Sequence, residues 1–255
     1  MPAYRWGEGG FGAGFPCQLA YAGDIDITGF RRPASYFREI VFGLRKNPYI
    51  TVQNPYKYGE MLIKTPWVIS DSVSSWTWQG CEGKPAVVEV YAPGDEVELL
   101  VNDRSVGRKP AGSAAGYRTL FESVYEPGTV TAVAYENGAE IGRMSLKTAG
   151  DAALVLDREN CMDKQLIYVD AVLQDKDGLP VTDSDMTLTA EVTGDAVLIG
   201  FGSGNPKPIH NYTENVSETF NGRALLILKK LKDSGSIHIK VDAENGKTAE
   251  ISVEF

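Results

Sequence analysis

Two hundred and fifty-five residues are enough for one large domain or two ordinary ones, and 43% hydrophobic residues is the composition of an ordinary globular chain. A net charge of −9 argues against a polyanion as partner, because a phosphate backbone needs a basic surface, so no nucleic acid is expected. No run of eighteen apolar residues occurs, so no membrane-spanning helix is expected.

The chain opens with a glycine-rich stretch, Met1 to Gly14, that lacks the apolar core of a signal peptide. Cys17, Cys81 and Cys161 are widely separated and include no C-x-x-C pair. A sparse, odd set of this kind suits a reducing compartment, and the expected location is the bacterial cytoplasm. His210 and His238 are isolated from one another and from the cysteines, so no metal site and no cofactor are expected.

Residues 33–45 read as one amphipathic helix. Pro33 suits the first helical position, where its missing N–H costs nothing. Tyr36, Phe37, Ile40, Val41 and Leu44 then fall on one helical face, and Asn47-Pro48 stops the run. Gly43 weakens its last turn. A helix this short is marginal in water, so its stripe must bury against something. Five large apolar groups there are worth several kcal/mol, at roughly 1.5–3 kcal/mol each when fully buried.

From residue 49 onward the pattern has period 2. Val97, Leu99 and Val101 alternate with polar residues; so do Val130, Ala132 and Ala134, then Met186, Leu188, Ala190 and Val192, and then Ile237, Ile239 and Val241. Asn102-Asp103, Pro127-Gly128, Asn137-Gly138, Asp177-Gly178 and Asn245-Gly246 punctuate these runs with residues that tolerate tight turns. The fold class is therefore mainly β: two immunoglobulin-like antiparallel β-sandwiches, residues 48–149 and 150–255, preceded by an irregular segment and one short α-helix. The joint falls near Thr148-Ala149-Gly150-Asp151. Lys229-Lys230-Leu231-Lys232 is read as a solvated turn.

Candidate sites each have a plain structural alternative. Asp24 and Asp26, at i and i+2 on an extended segment, put two carboxylates on one face roughly 6–7 Å apart, a spacing reminiscent of glycoside hydrolysis. The alternative is a polar loop whose aspartates accept backbone N–H bonds and position the helix. Trp76 and Trp78 are the carbohydrate-binding candidates: two indoles on one face of a strand could stack on sugar rings. The alternative is an anchor in a core or between domains, since an indole buries a large area and needs one N–H partner. Gly200-Phe201-Gly202-Ser203-Gly204 resembles a phosphate loop only in glycine count, because Asn205-Pro206 cannot open a helix cleanly. Asp175-Lys176-Asp177-Gly178 begins like a calcium loop but lacks the twelfth-position glutamate, so it reads as a hairpin turn. A serine or cysteine nucleophile would need a histidine base, and both histidines lie far from any Gly-x-Ser-x-Gly. Residues alone give no catalytic constellation.

A family resemblance explains the lone helix. Gly23-Asp24-Ile25-Asp26-Ile27-Thr28-Gly29-Phe30-Arg31-Arg32-Pro33, continued by Ser35-Tyr36-Phe37-Arg38, resembles the segment that closes the (β/α)8 barrel of glycoside hydrolase family 2 enzymes of the β-galactosidase type. Trp76-x-Trp78-x-Gly80-x-Glu82-Gly83, Val97-Glu98-Leu99-x-Val101-Asn102 and Tyr125-Glu126-Pro127-Gly128 are similar to the sandwich that follows that barrel. Asp175-x-Asp177-Gly178 and Gly204-Asn205-Pro206 resemble the terminal immunoglobulin-like domain.

The resemblance implies that residues 1–47 are a remnant of the barrel's end. It implies a retaining mechanism whose two catalytic glutamates lie on barrel strands upstream of Gly23, so no catalytic residue is carried over, Glu8 included. By itself the chain is then expected to be inactive, with the missing barrel as its partner or a second copy joined through the residue 33–45 helix. The rival readings are a carbohydrate-binding sandwich, with Trp76 and Trp78 as its platform, and an adhesin-like stack of immunoglobulin domains. The adhesin reading has no use for residues 23–45.

Overall fold

The computed structural model describes residues 3–5, 21–63, 68–160 and 163–255. Glu8, Cys17 and Cys161 lie outside the described residues. The described chain forms two compact units, the first ending at Thr148 and the second running Ala149–Phe255.

In the first unit the strands are β1 (Ala3–Arg5), β2 (Tyr49–Val52), β3 (Met61–Ile63), β4 (Pro85–Tyr91), β5 (Glu96–Val101), β6 (Arg104–Pro110), β7 (Arg118–Val124), β8 (Thr129–Glu136) and β9 (Ala139–Lys147). They make a three-stranded sheet, β2-β4-β7, and a four-stranded sheet, β6-β5-β8-β9, while β1 pairs with β3 in parallel. Asn102 and Asp103 both take positive φ between β5 and β6, as do Asn137 and Gly138 between β8 and β9. That is the backbone a two-residue hairpin loop needs to match strand twist. Val88 and Val90 of β4, Val97 and Leu99 of β5, Phe121 of β7, and Val130 and Ala132 of β8 meet in one core.

Helix α1 (Pro33–Val41) packs on the opposite face of the β2-β4-β7 sheet. Tyr36 stacks on Tyr49 with ring centroids 4.0 Å apart, Phe37 meets Tyr91 edge-on at 5.3 Å, and Ile40 is buried with them. The helix stops four residues short of the expected Arg45. Gly43 is the cause: at φ +71 it takes the left-handed position, its N–H donates to the Ile40 carbonyl, and the Leu44 N–H donates to Glu39. This is a closing motif, not merely a weak last turn. Of the five stripe residues, Ile40 is fully buried, whereas Val41 and Leu44 face solvent.

The second unit contains β10 (Ala153–Arg158), β11 (Leu166–Gln174), β12 (Thr187–Gly194), β13 (Ala196–Gly202), β14 (Val216–Glu218), β15 (Arg223–Lys230), β16 (Ser236–Ala243) and β17 (Thr248–Glu254). Two four-stranded antiparallel sheets, β10-β11-β15-β13 and β14-β12-β16-β17, enclose a separate core that includes Leu173, Leu188, Phe201, Leu226, Leu228, Ile239 and Val241. The alternation read from the sequence is the observed in–out pattern. Lys229 and Lys230 belong to β15; only Leu231 and Lys232 lie in the turn that follows.

Candidate functional site

The outer face of the β2-β4-β7 sheet holds a polar cluster centred on Glu89. Alternation along β4 sends Val88 and Val90 into the sandwich core and Glu89 and Tyr91 to the other face. That face is covered too, by α1 over Tyr49 and Tyr91 and by the segments around residues 53 and 70 over Glu89. Glu89 is consequently 0% exposed. Arg118, opposite Tyr91 in register, reaches it with a two-pronged contact: Nη2 donates to Oε1 at 2.7 Å and Nε to Oε2 at 2.9 Å. Gln53 Nε2 and Ser70 Oγ also donate to Oε1, each at 2.7 Å, and Tyr91 Oη donates to Oε2 at 3.3 Å.

Burial alone would raise the Glu89 carboxyl. The hydrogen bonds and charge of Arg118, with Gln53 and Ser70, overcome it and hold the group below its ordinary value. Burial, and then the Glu89 charge, push the Tyr91 hydroxyl up. Glu89 is thus an ionised, fully engaged carboxylate, unsuited to donate a proton as a general acid does. Arg118 also lines an open cleft of about 270 Å³, together with Gln53, Lys57, Tyr58, Glu60 and Asp71.

The residues singled out from the sequence lie elsewhere. Trp76 and Trp78 sit in an irregular segment outside any strand and are buried in the core, 0% and 3% exposed. Trp76 Nε1 donates to the Glu126 carbonyl at 3.0 Å, and its ring meets Tyr125 edge-on at 5.1 Å. Tyr125 Oη donates to the Trp76 carbonyl at 3.3 Å and accepts from the Trp78 N–H at 3.2 Å. A sugar platform needs an exposed indole face, and neither indole offers one; the pair anchors the core, which removes the basis for the Trp76–Trp78 carbohydrate site.

Asp24 and Asp26 behave as loop residues. Asp26 Oδ1 accepts from the Thr28 N–H and Oγ1 at 2.9 and 2.7 Å and from the Phe30 N–H at 3.1 Å, while Asp24 pairs with Arg38 of the helix. Asp175 Oδ1 accepts from the N–H groups of Asp177 and Leu179, both at 2.9 Å, as a turn requires. The glycine-rich run from Gly200 finishes β13 and enters a loop. Among the described residues no three His, Cys, Asp or Glu side chains are placed to hold a metal ion.

Sequence reasoning missed Glu89 and Arg118. The only signal was a glutamate in the apolar run Val87-Val88-Glu89-Val90-Tyr91, and alternation assigns such a residue to solvent.

Comparison with known proteins shows what the chain is similar to. Residues 154–252 match the model described as glycoside hydrolase family 2 C-terminal domain 5, and residues 83–142 match a domain of unknown function, DUF4982. A crystal structure of a glycosyl hydrolase family 2 member from Bacteroides cellulosilyticus superimposes with a TM-score of 0.83 at 29% identity, over 94% of this chain and 32% of that one. Over most of its length the chain is similar to the C-terminal region of glycoside hydrolase family 2 proteins.

Among curated family relatives, the β-galactosidase BoGH2A of Bacteroides ovatus is 24% identical over 248 residues, which is 94% of this chain and 26% of that protein. A putative β-glucuronidase of Formosa agariphila is 27% identical over 90% of this chain and 22% of its own length. The chain therefore spans about a quarter of the length of these curated relatives.

Proposed function

We propose that this chain is the C-terminal accessory part of a retaining β-glycosidase, a β-galactosidase, whose catalytic glutamates lie on barrel strands outside residues 1–255. The observation that carries the reading is one of coverage: likeness to family 2 proteins runs over 94% of the chain yet takes in only 26% of the β-galactosidase relative. A β-glucuronidase is the second reading, supported by the name of the Formosa relative. Exposed apolar groups between residues 23 and 48 support a barrel as the natural neighbour: Phe42 is 73% and Leu44 78% exposed, with Ile25 and Ile27 half-exposed. Where no barrel covers them, the same groups are the place for a second copy to associate.

Turnover of aryl β-galactoside and aryl β-glucuronide tests the proposal. The purified 255-residue chain is expected to hydrolyse neither above the buffer blank, while a protein that joins it to its upstream barrel cleaves the galactoside. Enzyme-like turnover by the isolated chain, surviving repurification, would overturn the accessory role. Preference of the joined protein for the glucuronide would overturn the galactosidase assignment.

A further inference from the structure

The start of helix α1 turns two positive features toward one small pocket. Its volume is about 20 Å³, and Arg32, Pro33, Ala34, Ser70, Ser72 and Tyr91 are among its walls. We propose that it is a site for one monatomic anion, a chloride ion. Arg32 holds the N-cap position of α1, gives the helix no side-chain hydrogen bond, and is only 6% exposed. Its guanidinium lies over the Tyr21 ring at 4.1 Å. That contact engages the face of the group, whereas its N–H bonds lie in its plane. Nε is buried, and among the described residues it meets no hydrogen-bond acceptor. A buried charge without a counter-charge is costly, and an orphaned charged donor adds its own desolvation penalty.

The helix sharpens this mismatch. A helix N-terminus is the positive end of the dipole and favours a Ser, Thr, Asp or Asn cap and acidic side chains in its first turn. Here the first turn carries no acidic residue, and Pro33 has no N–H to offer. An arginine at that end sets a cation against the positive pole, and an anion beside both satisfies both. Ser72, 2% exposed, adds a hydroxyl that lies near the Tyr91 hydroxyl but makes no hydrogen bond of sound geometry. Its O–H is able to rotate toward an anion.

The neighbouring carboxylates are engaged elsewhere. Asp24 pairs with Arg38, Glu89 pairs with Arg118, and Asp71 lines the separate Arg118 cleft. No acidic side chain is among the described residues that line the pocket. Size sets the ligand class. A single water-sized sphere needs roughly 10–15 Å³, so one atom fits and a phosphate or carboxylate does not. Water fills the same space but leaves the Arg32 charge uncompensated.

Chloride NMR line broadening on the purified 255-residue chain tests the site. Saturable excess linewidth is expected, displaced by bromide, with an apparent Kd on the order of 1–10 mM. R32Q, which keeps bulk and removes the charge, should weaken it about tenfold or more, and S72A about threefold. Crystals soaked in bromide should show an anomalous peak beside Arg32 Nε. No such peak in the pocket, displacement by inorganic phosphate as effective as by bromide, or full affinity in both variants would each overturn the proposal. Should R32Q fail to fold, S72A and the bromide peak decide the matter.

Discussion

At the residue scale, one contact concentrates the electrostatics of the first unit. Glu89 is buried with an arginine across two hydrogen bonds, and breaking such a pair strands the other charge. E89A is expected to lower the stability of the first unit by about 3 kcal/mol, toward the small end of the range because Arg118 keeps part of its side chain in water. The pH dependence follows from the depressed Glu89 carboxyl. Unfolded, the group titrates near its ordinary 4.5; folded, it titrates lower. Between those values the unfolded chain binds the proton first, so stability rises with pH there. The contribution is complete above about pH 4.5 and disappears as pH falls through the folded value. Urea unfolding at pH 3 to 7 (on the order of half-unit steps) should show a shallower acid loss in E89Q than in the parent; equal slopes would remove Glu89 as the cause.

At the element scale, turns and caps decide where strands and the helix end. Gly112 and Gly116 flank one short helical turn and both have positive φ, yet their surroundings differ. A Cβ on Gly112 would lie 2.1 Å from the Gly94 carbonyl oxygen, while one on Gly116 meets nothing within 4 Å. G116A should therefore cost only the left-handed backbone penalty, about 1–2 kcal/mol. G112A should cost at least about 2 kcal/mol more, because backbone must move away from backbone. Thermal unfolding of the two variants ranks them, and equal losses would mean the loop relaxes freely. Helix α1 shows the same principle in the legible direction. Its start at Pro33 and its packing stripe were readable from residue spacing. Its true end was encoded in Gly43, whose φ +71 turns a weak helix former into a terminator.

At the scale of the whole molecule, each unit has its own sheets and its own core. Among the described residues, the second core joins buried residues from Leu154 to Val253. Residues 149–255 expressed alone are expected to fold, with dispersed amide resonances and a single cooperative transition. A collapsed, undispersed spectrum would show that this core depends on the rest of the chain. The same view explains why the Trp76–Trp78 platform fails. The Trp76 indole is held by the Tyr125 ring and the Glu126 carbonyl, and the Trp78 backbone N–H by Tyr125 Oη, some fifty residues further on, and no local pattern shows such contacts.

What the residues determined by themselves was the mainly β class, the strand periods, the turn chemistry and the resemblance to family 2. All of these rest on local conformational preference or on short motifs, which survive without knowledge of the fold. Tertiary structure alone decided which polar groups are buried. The β2-β4-β7 sheet is covered on both faces, so Glu89 becomes a locked anion behind a cleft and not a solvated surface charge. Burial depends on what lies across the sheet, and strand alternation reports only which side a residue takes.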